Sequence, residues 1–441
     1  MNKTSMLSGW GRIFRPGHSV YAHDLEKASR QAVLFRGLGR SYGDSALPPA
    51  SEPVVVATPL ADKIRFFERE TGLIRAEAGL SLHELNRLFL RQGWFVPVSP
   101  GTQFVTLGGM VAADVHGKNH HVDGCFGDHV ESIKMRVADG RIIECSMDHE
   151  TELFLATIGG MGLTGHVLEV EFRLRRVPTP WIWQETRRIG GIESFIGALK
   201  VAAGKWPFTV GWIDCLSRHR AMGRGILMCG RWATADEAPA NPPPFLRSIA
   251  VPFVFPQIAL NYWVVRLLNM VYYRVHGSRS KQGIVHPEKF FYPLDMVLEW
   301  NRIYGHRGFT QYQCVLPENG DCSITRNFFD LLTRLGCASF LCVIKDCGPE
   351  GRGMISFPMP GISVALDIPV RPGIQVTIDT LNKFVISAGG RIYLSKDSFM
   401  RPEHFRAMEP RLDSWMAVRQ KWNPEGKIRS AQSVRLLGDL P

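Results

Sequence analysis

Arg36-Gly-Leu-Gly-Arg-Ser-Tyr-Gly-Asp44 is the stretch on which the fold turns. It has a counterpart further along, Thr106-Leu-Gly-Gly109 followed by Val115-His-Gly-Lys-Asn-His-His121. Each sets glycines beside hydrogen-bonding side chains, just after a segment that reads as a strand. Glycine takes positive φ without strain and lets the backbone approach a ligand with no Cβ between them. Successive N–H groups in such turns converge on an anion, most often a phosphate. One such loop is ordinary turn chemistry. Two of them, with Lys118 and several histidines alongside, point to a large phosphate-bearing cofactor.

Outward from these loops, residues 53–58 and 73–78 read as strands. Ser81-Leu-His-Glu84 reads as a capping box opening an amphipathic helix through Leu90, closed by Gly93. Residues 130–137 and 141–146 flank Ala138-Asp-Gly140 as a hairpin, and residues 152–158 look helical. After Gly159-Gly-Met-Gly-Leu-Thr-Gly165, Leu168, Val170, Phe172 and Leu174 alternate with Glu169, Glu171, Arg173 and Arg175. That period of two predicts a half-buried strand. Near Val177-Pro-Thr-Pro180 the character changes: tryptophan becomes more frequent and no comparable glycine loop follows. Asn241-Pro-Pro-Pro244 marks a loop or linker, and an amphipathic helix is expected near residues 413–421.

A chain of 441 residues suggests two domains, and 45% hydrophobic content fits a folded globular protein rather than a disordered one. The excess of 52 Lys+Arg over 41 Asp+Glu, a net +11, favours anionic partners. With no basic run, zinc-finger spacing or RNA-binding signature, nucleic acid is not the expected one. Nine scattered cysteines without a CxxC pair predict reduced thiols of a cytoplasmic protein. The first ten residues lack a sustained apolar run, so no secretory signal is expected. No carboxylate or second histidine pair stands at ligand spacing from His120 and His121, so no metal site is expected. Residues 248–273 come nearest to a membrane segment, but two prolines, two asparagines and Arg266 interrupt them. The uninterrupted apolar run falls short of the ~20 residues a spanning helix needs. Two readings stand: a buried core helix, or an interfacial surface with Trp263, Tyr272 and Arg266 at headgroup depth.

The glycine loops continue into an ordered series: Pro100-Gly-Thr102, Gly159 to Gly165, Phe291-Tyr-Pro-Leu-Asp-Met296, Glu299-Trp-Asn-Arg302, Gln311-Tyr-Gln313 and Lys396-Asp-Ser398. With this series the chain resembles the vanillyl-alcohol-oxidase-like FAD family, and within it the oxidases of polyprenyl-phosphoryl ribose. The resemblance runs nearly end to end and is weakest between about residues 180 and 290. It implies an α+β, two-domain PCMH-type FAD-binding fold. Residues 1–180 and a returning segment, 391–441, would form the FAD domain, and residues 181–390 a substrate domain with an antiparallel sheet over the isoalloxazine. The cofactor would be lined first by Arg36, Gly37, Leu38, Gly39, Arg40, Ser41, Tyr42, Gly43, Asp44 and Ser45. Gly101 and Thr102 come next, then Thr106, Leu107, Gly108 and Gly109, then His116, Gly117, Lys118 and Asn119, and finally Val167 and Tyr393. The residues themselves agree for the loops: glycine amides suit a pyrophosphate, and His, Lys and Asn suit polar cofactor atoms. Val167 and Tyr393 rest on the resemblance.

Many relatives link flavin through the histidine of a Gly-His-Ser motif, where this chain has Gly39-Arg-Ser41. Arginine cannot form that bond, so FAD is expected to be non-covalent. Cys125 lies in Gly-Cys-Phe-Gly, which does not match a flavin-attachment motif, and reads as a packed thiol. Ala365 stands where mycobacterial members have a cysteine, so no thiol chemistry is expected there.

The implied reaction is FAD-dependent oxidation of the ribose C2 hydroxyl to a 2-keto intermediate. This is the first half of an epimerisation toward an arabinose donor for cell-envelope glycan. A separate NAD(P)H-dependent short-chain reductase would complete it, and a quinone or other acceptor would take the electrons. Such chemistry needs the carbon within about 3–3.5 Å of its hydride acceptor and a group that manages the hydroxyl's charge. Lys396 is the candidate for that group. Gln313 and Tyr292 would bond to or pack on the sugar, with Gln311, Lys345 and Tyr42 as further substrate contacts. His116 acts either as base or as a support for the flavin. At strand period Gln311 and Gln313 share one face, opposite Tyr312, and that face meets either substrate or solvent. A lipid-linked substrate makes the inner face of the plasma membrane the expected location. The rivals are an oxidase of a soluble polyol or sugar acid, and a flavin-binding assembly partner without turnover.

Overall fold

Leu168, Val170 and Phe172 are buried on the strand His166–Arg173, the centre of a five-stranded antiparallel sheet. Its order is Ile142–Ser146, Val130–Arg136, His166–Arg173, Leu73–Glu77 and Ile64–Phe67 in the computed structural model, which describes residues 5–318 and 320–441. The opposite face is less open than the alternation predicts. Glu169 is buried because Arg75 bonds it at 2.7 Å and Arg65 and Lys134 close over it. The expected helix forms as Leu82–Phe89, ending in a single turn that Gly93 closes in the left-handed conformation. Ser81 caps it by accepting from Glu84 N at 3.2 Å. The reciprocal half of the capping box is absent, because the Glu84 carboxylate turns toward Arg87, 3.5 Å away.

A small parallel sheet, ordered His18–Tyr21, Val54–Ala57 and Phe35–Arg36, delivers the first glycine loop from the end of its last strand. The second half of the chain builds an eight-stranded antiparallel sheet. Its order is Lys281–Val285, Ile182–Ile189, Gly225–Trp232, Phe208–Ile213, Cys342–Cys347, Gly361–Pro369, Phe309–Leu316 and Arg391–Ile392. Several of its strands are buried on both faces, as expected of a sheet covered on each side.

After Arg391–Ile392 the chain returns to the first half. Trp415 Nε1, on the helix Leu412–Trp422, donates to Ala156 O at 2.9 Å, and Ala431 N donates to Leu47 O at 2.9 Å. Arg435, on the helix Ala431–Leu437, reaches both Asp44 at 2.7 Å and Asp397 at 2.8 Å.

Residues 248–273 do not form a buried core helix. The helix Tyr262–Val275 starts at Asn261, whose side chain accepts from Trp263 N and Val264 N. It buries Val265 and Asn269 but leaves Trp263 70%, Leu267 55% and Val275 77% exposed. Among the described residues no helix is long and apolar enough to cross a membrane.

Candidate active site

The two glycine loops meet. A Cβ on Gly37 would lie 2.4 Å from Thr106 Oγ1, so only glycine allows this approach. Gly43 is constrained from the other side: a Cβ there would lie 1.7 Å from Asp397 O, while Tyr42 N donates to Ser395 O at 2.9 Å. The first loop is thereby fastened to the turn that carries Lys396. Between the loops and the eight-stranded sheet lies a cavity of ≈ 880 Å³, large even among small-molecule sites of about 300–1,000 Å³. Gly37 through Tyr42 and Ser45 line it, with Gly101, Thr102, Thr106, Gly108, Gly109, His116, Gly117, Lys118, Val167 and Tyr393.

The lining suits a phosphate-bearing cofactor. The amides of Leu38, Gly39, Arg40 and Ser41 donate to no protein acceptor among the described residues. On the same loop Arg40 Nε and Ser45 Oγ are buried without a protein partner. Unmet donors along a glycine turn form an anion cradle. The turn at residues 107–109 contributes differently, because its amides are used internally: Leu107 N donates to Leu80 O at 2.9 Å, Gly108 N to Ala78 O at 2.8 Å and Gly109 N to Thr106 Oγ1 at 3.3 Å. Its part is close approach, not anion binding. The Arg40 guanidinium stacks over Trp10 at 4.0 Å and faces Phe104 at 5.1 Å.

At the polar end of the cavity, Gln311 and Gln313 enter side by side from the strand Phe309–Leu316, so their shared face meets the cavity and not solvent. Tyr312 points the other way, donating to Asn382 Oδ1 at 3.0 Å. His116 Nε2 lies 3.1 Å from the Gln313 amide, and its Nδ1 lies 3.0 Å from Lys345 Nζ. Burial, with Lys345 beside it, holds this imidazole's pKa well below the usual histidine value, so the ring is neutral. A neutral ring has one acceptor nitrogen, and two nitrogen groups face it, Lys345 Nζ at Nδ1 and the Gln313 amide nitrogen at Nε2. Lys396 makes no ion pair among the described residues and sits 4.1 Å over the Tyr42 ring. Burial brings its pKa down to about 7, that of Lys345 to about 8 and that of Lys118 to about 7. Perturbed amines gathered in a cleft mark a functional site.

Several expected residues lie elsewhere. Tyr292 does not line the cavity; its ring is buried and its hydroxyl is engaged by Ser99 Oγ at 2.5 Å and Asn86 Nδ2 at 3.0 Å. Arg36 braces the first loop from behind, donating to Ala46 O at 3.0 Å and Ser8 O at 2.8 Å. Asp44 is taken by Arg435, and Leu107 is core. Asn119 donates to Pro97 O at 2.8 Å. These residues shape the walls from the second layer. Cys125 is fully buried and does not line the cavity. No cluster of three or more His, Cys, Asp or Glu side chains suited to a metal occurs among the described residues.

At the apolar end of the cavity Leu268 and Tyr272 belong to the 248–273 stretch already singled out, but sequence reasoning missed Val210, Trp212, Met228 and Val343. Such residues occur in every core, and only the fold shows which of them face a void. It also missed Asp367, buried behind Gln311 and bonded by its amide at 2.8 Å.

Comparison with known proteins agrees with this lining. Residues 22–146, which span both glycine loops, match the family described as an FAD binding domain. The chain is 24% identical to D-arabinono-1,4-lactone oxidase of Yarrowia lipolytica over 42% of its own length and 37% of that protein's. It is 32% identical to an uncharacterized protein of Streptomyces coelicolor, over 81% of this chain and all of that one. It is 33% identical to decaprenylphosphoryl-beta-D-ribose oxidase of Mycolicibacterium smegmatis, over 98% of this chain and 97% of that protein. The chain therefore belongs to the decaprenylphosphoryl-beta-D-ribose oxidase family of PCMH-type FAD-binding flavoproteins, and it is an FAD-dependent oxidoreductase.

Proposed function

We propose that the protein oxidises the C2 hydroxyl of a polyprenyl-phosphoryl ribose to the 2-keto sugar. The observation that carries this reading is the end-to-end similarity to an oxidase of such a substrate, over 98% of the chain. The polar cluster at the cavity's end supports it. FAD, when bound, supplies the hydride acceptor. The first-loop amides would hold its pyrophosphate, and Val167 and Tyr393 would pack beside it. Attachment is non-covalent, since Arg40 replaces the linking histidine and lies against Trp10. In this reading residues 1–180 and 391–441 hold the cofactor and residues 181–390 cover it.

Lys396 meets the substrate hydroxyl, the ammonium stabilising developing alkoxide charge and the free amine accepting the proton. Gln311, Gln313 and Tyr42 orient the sugar. Lys345 is shared between the sugar and His116. That contact makes His116 a support and not a base, because both ring nitrogens are engaged. Tyr292 drops out of the sugar contacts and acts by bracing the Ser99 turn.

The apolar end would take the start of the polyprenyl chain. Leu268 and Tyr272 line that end and belong to the helix Tyr262–Val275, whose outer side is exposed and apolar. We place this helix against the inner face of the plasma membrane, with Arg266 and Arg274 at the headgroups. A short-chain NAD(P)H-dependent reductase would consume the keto product, and a quinone or similar acceptor would reoxidise the flavin. Reduction of the bound flavin by lipid-linked pentose, and not by free polyols or sugar acids, tests the reading.

A further inference from the structure

Asp367 lies one layer behind the cavity wall, fully buried on the strand Gly361–Pro369. Its carboxylate accepts from Tyr304 Oη at 2.9 Å and from Gln311 Nε2 at 2.8 Å. No Arg, Lys or His pairs with it at ion-pair distance among the described residues. Asparagine would fill this position with similar bonds and without the cost of burying an ionisable group. An acid kept here, facing only neutral donors, needs a reason in its charge.

The connections outward supply one. Gln311 stands directly opposite Asp367 in the strand ladder, and the same Nε2 that bonds Asp367 lies 3.3 Å from Tyr42 Oη. The Tyr42 ring in turn lies under Lys396 Nζ. Backbone geometry fixes this path at both ends, since Tyr42 N is bound to Ser395 O, one residue before Lys396.

We propose that Asp367 is a positioning residue that sets the charge state of Lys396 from behind the cavity wall, through Gln311 and Tyr42. This rests on the reading of Lys396 as the group that meets the substrate hydroxyl. Burial pushes the Asp367 carboxyl up to about 7 and the Lys396 amine down to about 7. Each opposes the other's shift, because carboxylate favours ammonium and ammonium favours carboxylate. An ionised Asp367 carboxylate therefore favours the ammonium form of Lys396 over the free amine. When the hydroxyl O–H bond breaks and its proton joins the free amine, the new ammonium finds its counter-charge at Asp367.

Other ionisable groups face the pair. Lys345 and His116 lie beyond Lys396, and Lys345 disfavours the ammonium. Arg40 and Asp295 flank Tyr42 with opposite signs, and Cys215 lies behind Tyr304. On the neighbouring strand, Cys342 pairs with Leu366, the residue before Asp367. Of these, only Asp367 supplies negative charge to Lys396 itself.

The test reads the amine directly. The purified flavoprotein is labelled with a trace amine-selective reagent across a pH series, and the peptide carrying Lys396 is quantified by mass spectrometry, with exposed Lys421 as internal reference. In the unaltered protein Lys396 gains reactivity with a midpoint near neutrality. Asp367→Asn removes the anion, and the midpoint moves down by about one pH unit relative to the Lys421 reference. Tyr304→Phe keeps the ring stack on Phe309 and removes one donor from the carboxylate, so the midpoint moves the same way by less. It decides the matter if the asparagine variant does not fold. An unmoved or raised Lys396 midpoint in the folded variant overturns the proposal. Because the readout uses no substrate, a wrong substrate assignment leaves this result intact.

Discussion

Lys396 owes its character to its surroundings. Burial and Lys345 nearby disfavour its charge, while Asp367 and the Tyr42 ring beneath it favour that charge. Lys396→Ala removes the group proposed to manage the hydroxyl charge and leaves the first-loop amides untouched. The variant should keep its flavin spectrum and lose substrate-driven flavin reduction by about 10²-fold or more, measured by anaerobic stopped-flow absorbance. Reduction at the unaltered rate would remove Lys396 from the chemistry. Lys396, Gln311 and Gln313 were legible because they sit in short motifs whose order along the chain is specific. Tyr292 sits in an equally clear motif, yet its hydroxyl is bound to Ser99 and Asn86. A motif marks a place in the fold without saying where the side chain points. Asp367 carried no local signal at all, because Gln311 and Tyr304 are 56 and 63 residues away in sequence.

Among the elements, the helix Tyr262–Val275 was the hardest to read. It is apolar nearly all round, so periodicity could not separate a buried helix from an interfacial one. In the fold Leu268 and Tyr272 face the cavity, while Trp263, Leu267, Val271 and Val275 form an exposed stripe on the adjoining side. Replacing Trp263, Leu267 and Val271 with serine should sharply reduce flotation with anionic vesicles, and leave thermal stability nearly unchanged because these side chains pack on little. Undiminished flotation would discard the membrane placement. By contrast, the strand His166–Arg173 and the helix Leu82–Phe89 were legible from pattern alone, since each gathers its apolar residues on one face and has a clear boundary. The strands Phe208–Ile213 and Gly225–Trp232 are apolar on both faces, so the residues that line the cavity could not be told from those that fill the core.

At the scale of the molecule, one ion cluster joins the first glycine loop, the Lys396 turn and the last helix: Arg435 bridges Asp44 and Asp397. Both carboxylates are buried, so Arg435→Ala leaves Asp397 without an ion pair and Asp44 with Arg15 at 3.5 Å, a loss of about 3 kcal/mol by analogy with broken buried pairs. The variant should unfold at lower temperature and release flavin first, followed by flavin fluorescence during heating; unchanged melting and retention would show that the returning segment does not stabilise the loop. This return across the chain was visible only through the resemblance, because nothing local in residues 391–441 says which part of the fold they join. The central claim concerns the substrate, and anaerobic flavin absorbance tests it most directly. Adding polyprenyl-phosphoryl ribose to the yellow protein without oxygen should bleach the flavin in a single turnover, while free ribose, polyols and sugar acids leave it oxidised. Bleaching by a free sugar or sugar acid, with none by the lipid-linked ribose, would contradict the account.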